Sequence, residues 1–268
     1  MPQIVAEDVS FSYGDGDVLS HVSLAIDHPS FVVFLGANGS GKSTFVHLLD
    51  GLLPLKRGEI AINGMSLKDR NALYDIRKEI GIVFQDPDSQ FVSPLLYSDV
   101  AFGPENYNVD EKEVEKRVDE SLLLTGLEAY KERLIQTLSG GEKERAQLAG
   151  VLALDPSILI FDEAFSMLDS NEERKLRSYL SSLRENRILL MITHDIRATL
   201  DADRIVLFSD GRIIADGTPS EILQDTEMLR EAGIRVTLPA MIAAEIRKLG
   251  IETGPVVTKD DLEALLWS

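Results

Sequence analysis

Ser30-Phe-Val-Val-Phe-Leu-Gly36-Ala-Asn-Gly39-Ser-Gly41-Lys42-Ser43-Thr44 decides the reading of this chain. Ser30 to Leu35 are almost wholly apolar and predict a buried strand. A glycine-rich turn follows, and Lys42 to Thr44 lead into Phe45-Val-His-Leu-Leu49, a run suited to a core-facing helix. Gly-x-x-x-x-Gly-Lys-Ser between a strand and a helix is the setting in which the pattern forms a phosphate loop. Its four fixed positions would arise by chance in about one chain in a hundred of this length. Glycine lets the backbone turn tightly and approach a ligand without a Cβ clash. Asn38, Gly39, Ser40, Gly41, Lys42, Ser43 and Thr44 are therefore the candidate nucleotide-binding residues. Their successive N–H groups can point at phosphate oxygens, where a helix N-terminus already favours anions. Lys42 supplies a mobile positive charge, and the Ser43 hydroxyl can ligate Mg²⁺.

The 268 residues suffice for one large domain, or a domain with an appendage, and for an ample core. Hydrophobic content of 44% and charged content of 27% are ordinary for a soluble globular protein. No apolar run approaches the roughly 20 residues that cross a bilayer. Met1-Pro-Gln-Ile-Val-Ala-Glu-Asp8 has no basic segment followed by an apolar one, so no secretory signal is expected. The absence of cysteine excludes disulfides and zinc–thiolate sites and fits a reducing cytoplasm. Forty-five acidic residues against 27 basic ones give a formal charge of −18. Such a surface repels phosphate backbones and anionic lipid alike, so nucleic acid is not an expected partner. Membrane association would have to run through a protein partner, without direct insertion.

Working outward, residues 3–9 and 21–26 alternate apolar with polar, as half-exposed antiparallel strands do. Between them Tyr13-Gly-Asp-Gly-Asp17 is a turn. Tyr13 could stack on a base or sit in the core, and residue type alone favours the core. Gly58 to Gly64 reads as a strand ending in an Asn-Gly turn, and Ile80 to Phe84 as a short strand ending on Gln85. Asp86 to Asn108 is proline-broken and reads as loop-rich. Asp110 to Leu124 takes helical spacing, with Val114, Val118 and Leu122 inward. Leu138-Ser-Gly-Gly141 precedes a helix over 142–154. Ser157 to Phe161 is a buried strand ending in Asp162-Glu163. An amphipathic helix is expected over 171–185, then a strand over 188–193 ending at His194. Residues 205–208 and 212–215 flank Ser209-Asp-Gly211 as a hairpin. From Pro219 the chain becomes mostly helical, with turns at Gly233 and Gly250. Strands buried on both faces with helices between them define an α/β fold with a mainly parallel sheet.

Four sequence-distant residues then fall where a nucleoside triphosphatase needs them. Asp162 ends a strand, where open α/β sheets bind ligands, so its carboxylate can hold Mg²⁺ opposite Ser43. Strand alternation should turn Glu163 away from that metal, toward an attacking water that it can orient and deprotonate. Gln85 and His194 also end strands: Gln85 can serve as a metal or water ligand, His194 as a donor to the transferred phosphoryl group. Ser139, Gly140 and Gly141 at a helix start form a second anion-binding surface. A head-to-tail dimer explains it, each subunit capping the γ-phosphate held by the other. A plain Ser-Gly helix cap is the simpler alternative.

Gly36 to Ser43, Gln85, Leu138-Ser-Gly-Gly141, Asp162-Glu163, Leu168-Asp169 and His194, in that order over residues 3 to 220, resemble the nucleotide-binding subunits of ABC transporters. Phe84-Gln-Asp-Pro-Asp-Ser-Gln90-Phe-Val, Ala149-Gly-Val-Leu-Ala and the extension with Leu238-Pro239 are similar to the ATPase subunits of energy-coupling factor importers of cobalt or vitamins. The resemblance implies a P-loop NTPase domain over 1–222, with N-terminal antiparallel strands and a helical subdomain over about 86–155. It also implies a dimerisation appendage over 223–268. ATP and Mg²⁺ are the implied cofactors. Tyr13 would stack on adenine, while Ser139, Gly141 and their neighbours Gly140 and Glu142 would meet the partner subunit's ATP. Asp169 would link the two sites, and Gln90 would belong to the region facing a transmembrane coupling subunit. Partners would be an identical or paralogous ATPase, that coupling subunit and a substrate-binding membrane subunit, on the cytoplasmic face of the membrane. Two departures stand out: Ala164-Phe165 replaces the usual Pro-Thr, and Glu142 replaces the usual Gln, adding negative charge near a nucleotide. The alternative is a soluble ABC-type ATPase not coupled to transport. A P-loop kinase would leave Leu138 to Gly141 unexplained.

Overall fold

The computed structural model describes residues 3–14, 16–164, 167, 176 and 179–267. The first strands, β1 (Ile4–Phe11) and β2 (Leu19–Ile26), pair antiparallel with Ile4 opposite Ile26. Their partly alternating burial is that of strands with one wet face. The chain then enters a second sheet as β3 (Ser30–Gly36) and turns into α1 (Lys42–Leu49). It returns to the first sheet as β4 (Arg57–Ile62) and the two-residue β5 (Met65–Ser66), giving the order β2-β1-β4-β5. Next come α2 (Leu73–Glu79), β6 (Ile80–Val83) and the helices α3 (Leu96–Asn106), α4 (Glu111–Leu124) and α5 (Gly140–Leu154). The strands β7 (Ile158–Asp162), β8 (Ile188–Thr193), β9 (Arg204–Ser209) and β10 (Arg212–Gly217) complete a six-stranded sheet ordered β10-β9-β3-β8-β7-β6. Its neighbours run parallel except at the hairpin of β9 and β10. Short helices α6 (Pro219–Ile222), α7 (Thr226–Glu231), α8 (Leu238–Lys248) and α9 (Lys259–Leu266) close the chain.

Both faces of the parallel sheet are covered, which is why its strands read as continuous apolar runs. On one face Phe34, Phe45 and Phe208 meet at ring-centroid separations of 5.2 to 5.9 Å and lock α1 onto the sheet. On the other, Val33, Leu35, Leu159 and Phe161 pack with Leu148 and Leu152 of α5 and with C-terminal Leu229, Ile234 and Val257. A third apolar cluster joins α3, α4 and the inner side of α5 through Val100, Val118, Leu122 and Ala149.

Asp86 to Asn108 is more ordered than its prolines suggest, since it contains the eleven-residue α3 with Pro104 inside it. Leu96, Val100, Ala101 and Pro104 are all buried, a helical spacing that the proline masks. Pro104 lies near the C-terminal end, so the lost N–H weakens the last turn alone. Of the helix expected over 171–185, most of the first half lies outside the described residues, and 179–183 is helical. The topology fixes the site: β3, β6, β7 and β8 all end at one edge, so the residues that follow them converge there.

Candidate active site

The phosphate loop leaves its helix N-terminus open. Gly41 is the N-cap of α1 at φ 102°, a left-handed conformation that only glycine adopts without strain. No side chain caps the first turn and no acidic residue lies in it, so its N–H groups face outward for an anion. A Cβ at Gly41 would stand 2.6 Å from Leu19 Cδ2 and 3.1 Å from Val18 O, so a larger residue would add crowding to the backbone strain. Gly211 N donates to Ser40 O at 3.1 Å, so the β9–β10 turn buttresses the loop from behind.

Lys42 is 5% exposed. Its Nζ donates to Gly36 O and Ala37 O at 2.8 Å each and to Ser40 Oγ at 3.3 Å. Burial pushes its ammonium pKa down, and the carboxylates of Glu163 and Asp162 partly oppose this. Ser43 Oγ donates to Asp162 Oδ1 at 3.1 Å. Burial pushes the Asp162 carboxyl up, against the Ser43 hydrogen bond and the His47 charge. Among the described residues no Lys or Arg lies within ion-pair distance of Asp162. A buried carboxylate with no Lys or Arg in direct ion-pair contact among the described residues, a hydroxyl beside it and an amide lining the same cavity suit a hard divalent ion that takes few protein oxygens.

Asn38, Gly39, Gly41, Lys42, Ser43, Thr44, Gln85, Asp162 and Glu163 line one cavity of about 280 Å³ together with Val18. Glu163 enters it for a reason that strand alternation does not supply. The strand β7 stops at Asp162, and Glu163 follows at φ 48°, with its N–H on Ile192 O. This left-handed turn follows directly on the strand, and Glu163 lines the same cavity as Asp162. His194 is not among the lining residues. Its Nδ1 lies 2.8 Å from Glu163 Oε1.

Tyr13 is 63% exposed, which overturns the core placement favoured by residue type. The strand β1 ends at Phe11, and Ser12 Oγ donates to Gly14 O and Gly16 O at 2.6 Å, so the chain has already left the sheet. The tyrosine ring stands edge-on to Phe11, with its hydroxyl 3.4 Å from Thr44 Oγ1 at the rim of the phosphate loop.

Ser139, Gly140, Gly141 and Glu142 do not line the cavity; they begin α5. Ser139 and Glu142 form a capping box: Glu142 Oε2 accepts from Ser139 N at 2.7 Å and Ser139 Oγ at 2.8 Å, and Ser139 Oγ accepts from Glu142 N. These bonds, the backbone one foremost, hold the Glu142 carboxyl below the usual range. Its negative charge is thus spent on its own helix N-terminus. Phe165, Leu168 and Asp169 lie outside the described residues. Val18 is the lining residue that sequence reading misses, because one valine after a turn carries no spacing or chemistry that marks it.

The open helix N-terminus, the buried lysine and the paired carboxylates on a parallel sheet define a P-loop nucleotide-binding domain. Residues 19–166 match the ABC transporter family. A Latilactobacillus sakei protein named energy-coupling factor transporter ATP-binding protein EcfA1 is 41% identical, over 93% of this chain and 90% of its own. Its namesake in Caldanaerobacter subterraneus is 37% identical over 93% and 92%. The structure of cbiO1 from Clostridium perfringens, described as part of the ABC transporter complex cbiONQ, superposes with a TM-score of 0.75 at 33% identity, over 91% of this chain and 98% of that one. A dimeric ATP-binding cassette bound to ADP and Pi superposes at 0.72 and 28% identity, over 81% and 98%. The chain belongs to the ABC transporter family and, within it, to the ATP-binding proteins of energy-coupling factor transporters. It is an ATPase subunit of that importer type, and the soluble alternative is not favoured. Among the described residues no helix is long and apolar enough to cross a membrane.

Proposed function

We propose that two such subunits, identical or paralogous, sandwich two ATP molecules and close on them, and that closure drives a membrane importer of vitamins or transition-metal ions. One observation carries this reading. A single cavity gathers the phosphate loop, Asp162, Gln85 and Glu163, while Ser139 and the start of α5 lie outside it. Each chain therefore offers one site lacking a cap and one cap lacking a site, which a head-to-tail pair completes.

In the bound state Lys42 would exchange loop carbonyls for phosphate oxygens. Ser43, Asp162 and Gln85 would hold Mg²⁺, which supplies neutralisation of the phosphate charge. Glu163 would orient and deprotonate the attacking water, and His194 would donate to the transferred group once it leaves its contact with Glu163. Tyr13 would stack on adenine. Ser139, with Gly140, Gly141 and Glu142 at its helix start, would cap the partner's nucleotide, and Asp169 would link the two sites. Closure is worth the difference in nucleotide affinity between closed and open states, and that difference is the work available to a membrane partner.

The nucleotide-binding domain would span 1–222. The apolar cluster of α3, α4 and α5 supports a helical subdomain over about 86–155. Exposed Leu238, Leu249 and Ile251 support a dimerising role for residues 223–268. The subunit would sit on the cytoplasmic face, held by a transmembrane coupling subunit and a substrate-binding membrane subunit, with the Gln90 region facing the former. Changing Glu163→Gln tests the whole reading. The variant should bind ATP and accumulate as an ATP-bound dimer on a sizing column, with phosphate release down by at least about a hundredfold. Phosphate release at the wild-type rate would remove Glu163 from its role.

A further inference from the structure

The strand β6 is the outer strand of its sheet, so the backbone groups on its open side have no neighbouring strand to pair with. Two glutamine side chains take that place. Gln90 Nε2 donates to Ile82 O at 2.9 Å, and Gln90 Oε1 accepts from Phe84 N at 3.3 Å. Gln147 Nε2, reaching down from α5, donates to Gln90 Oε1 at 2.8 Å and to Phe84 O at 3.4 Å. Both backbone polar groups of Phe84, the residue just before Gln85, are thereby held by side chains.

Gln147 is 3% exposed, and its own Oε1 is buried without a hydrogen-bond partner among the described residues. Leaving a buried acceptor unpaired is unfavourable, so packing alone does not account for an amide there. One turn earlier Lys143 Nζ meets Asp88 Oδ1 at 2.6 Å. One turn later Val151 lies so close to Gly81 that a Cβ there would stand 2.5 Å from Val151 Cγ1. Residues 143, 147 and 151 share one face of the helix. They fix α5 at three successive turns along β6 and the 3₁₀ turn Pro87–Ser89. Ser139 caps the same helix, two turns from Gln147.

We infer that Gln147 is a positioning residue for Gln85. It holds Phe84 directly and through Gln90, and so sets where the Gln85 side chain stands toward metal and nucleotide. The inference rests on the reading of Gln85 as a metal or water ligand.

Calorimetric titration of the full chain with Mn²⁺·ATP, and with ATP in chelator, separates the two. Gln147→Met and Gln90→Met should each weaken Mn²⁺·ATP binding about tenfold, the scale of losing a residue that orients a metal ligand. Metal-free ATP affinity should stay within about twofold. Gln85→Ala should show the same selective loss, and adding Gln147→Met to it should weaken binding no further. If Gln85→Ala weakens Mn²⁺·ATP binding while Gln147→Met and Gln90→Met leave it at wild type, the positioning role is wrong and the Gln85 reading survives. Equal weakening with and without metal would mark Gln147 as a purely structural residue and overturn the inference. If Gln85→Ala leaves the metal complex unaffected, the ligand reading falls, and the inference with it.

Discussion

Glu163 shows how much a single backbone angle decides. A non-glycine residue at φ 48° is uncommon and costs of order 1 kcal/mol. Here the turn follows directly on β7, and Asp162 and Glu163 line one cavity. Tyr13 carries the second residue-scale expectation. Exposed at the rim of the phosphate loop, it should contribute stacking of about 1–3 kcal/mol. Tyr13→Ala should therefore weaken ATP about tenfold by calorimetry while leaving inorganic triphosphate unchanged; equal losses for both would remove the stacking role. Asp50, the C-cap of α1, carries the third. Burial pushes its carboxyl up to about 6, and the Arg77 charge beside it opposes the shift. A carboxyl whose folded pKa lies above its unfolded value of 3.8 binds more protons when folded. Its contribution favours the fold below about pH 4 and is lost as the pH rises through 6. Asp50→Asn should thus raise the melting temperature by a few degrees at pH 8 and by less at pH 4.5, measured by thermal denaturation at both pH values. A larger gain at the lower pH would contradict the sign.

At the scale of elements, α5 is the rigid link between the proposed cap and the sheet edge that leads to Gln85. Its N-terminus carries the capping box of Ser139 and Glu142, and its flank lies against β6, where Val151 leaves no room for a Cβ at Gly81. Gly81→Ala would drive a methyl group into Val151 and Pro156, and should cost about 1–3 kcal/mol in chemical denaturation. An unchanged midpoint would show that the contact is loose. The elements nearest the chemistry were also the most legible in the sequence. Apolar runs ending in Gly36, Gln85, Asp162-Glu163 and His194 announced parallel strands and the residues at their ends, because strands buried on both faces leave a continuous apolar signature. The signal failed where local chemistry competes with tertiary context. Pro104 hid the buried spacing of α3, and β5 is too short to show a period. Tyr13 was ambiguous because a ring suits a core and a rim equally. Glu142 read as added charge because the family resemblance drew attention to the missing glutamine, although Ser139-x-x-Glu142 is itself the spacing of a capping box.

For the molecule as a whole, the charge of −18 and the position of Ser139 matter most. Acidity of this size works against nucleic acid and anionic lipid, which is consistent with attachment through protein partners. In the proposed pair, the separation of cap from cavity would make turnover a property of two subunits together. ATP turnover per subunit should therefore rise with protein concentration until dimers saturate, and a bulky residue at the cap should abolish it while sparing nucleotide binding. Steady-state phosphate release by Ser139→Trp, measured beside wild type over a dilution series, addresses this directly. The account predicts a rate at least about a hundredfold below wild type, on the scale of losing one preorganised donor to the reacting phosphate, with ATP still bound. A wild-type rate per subunit that persists on dilution would contradict it.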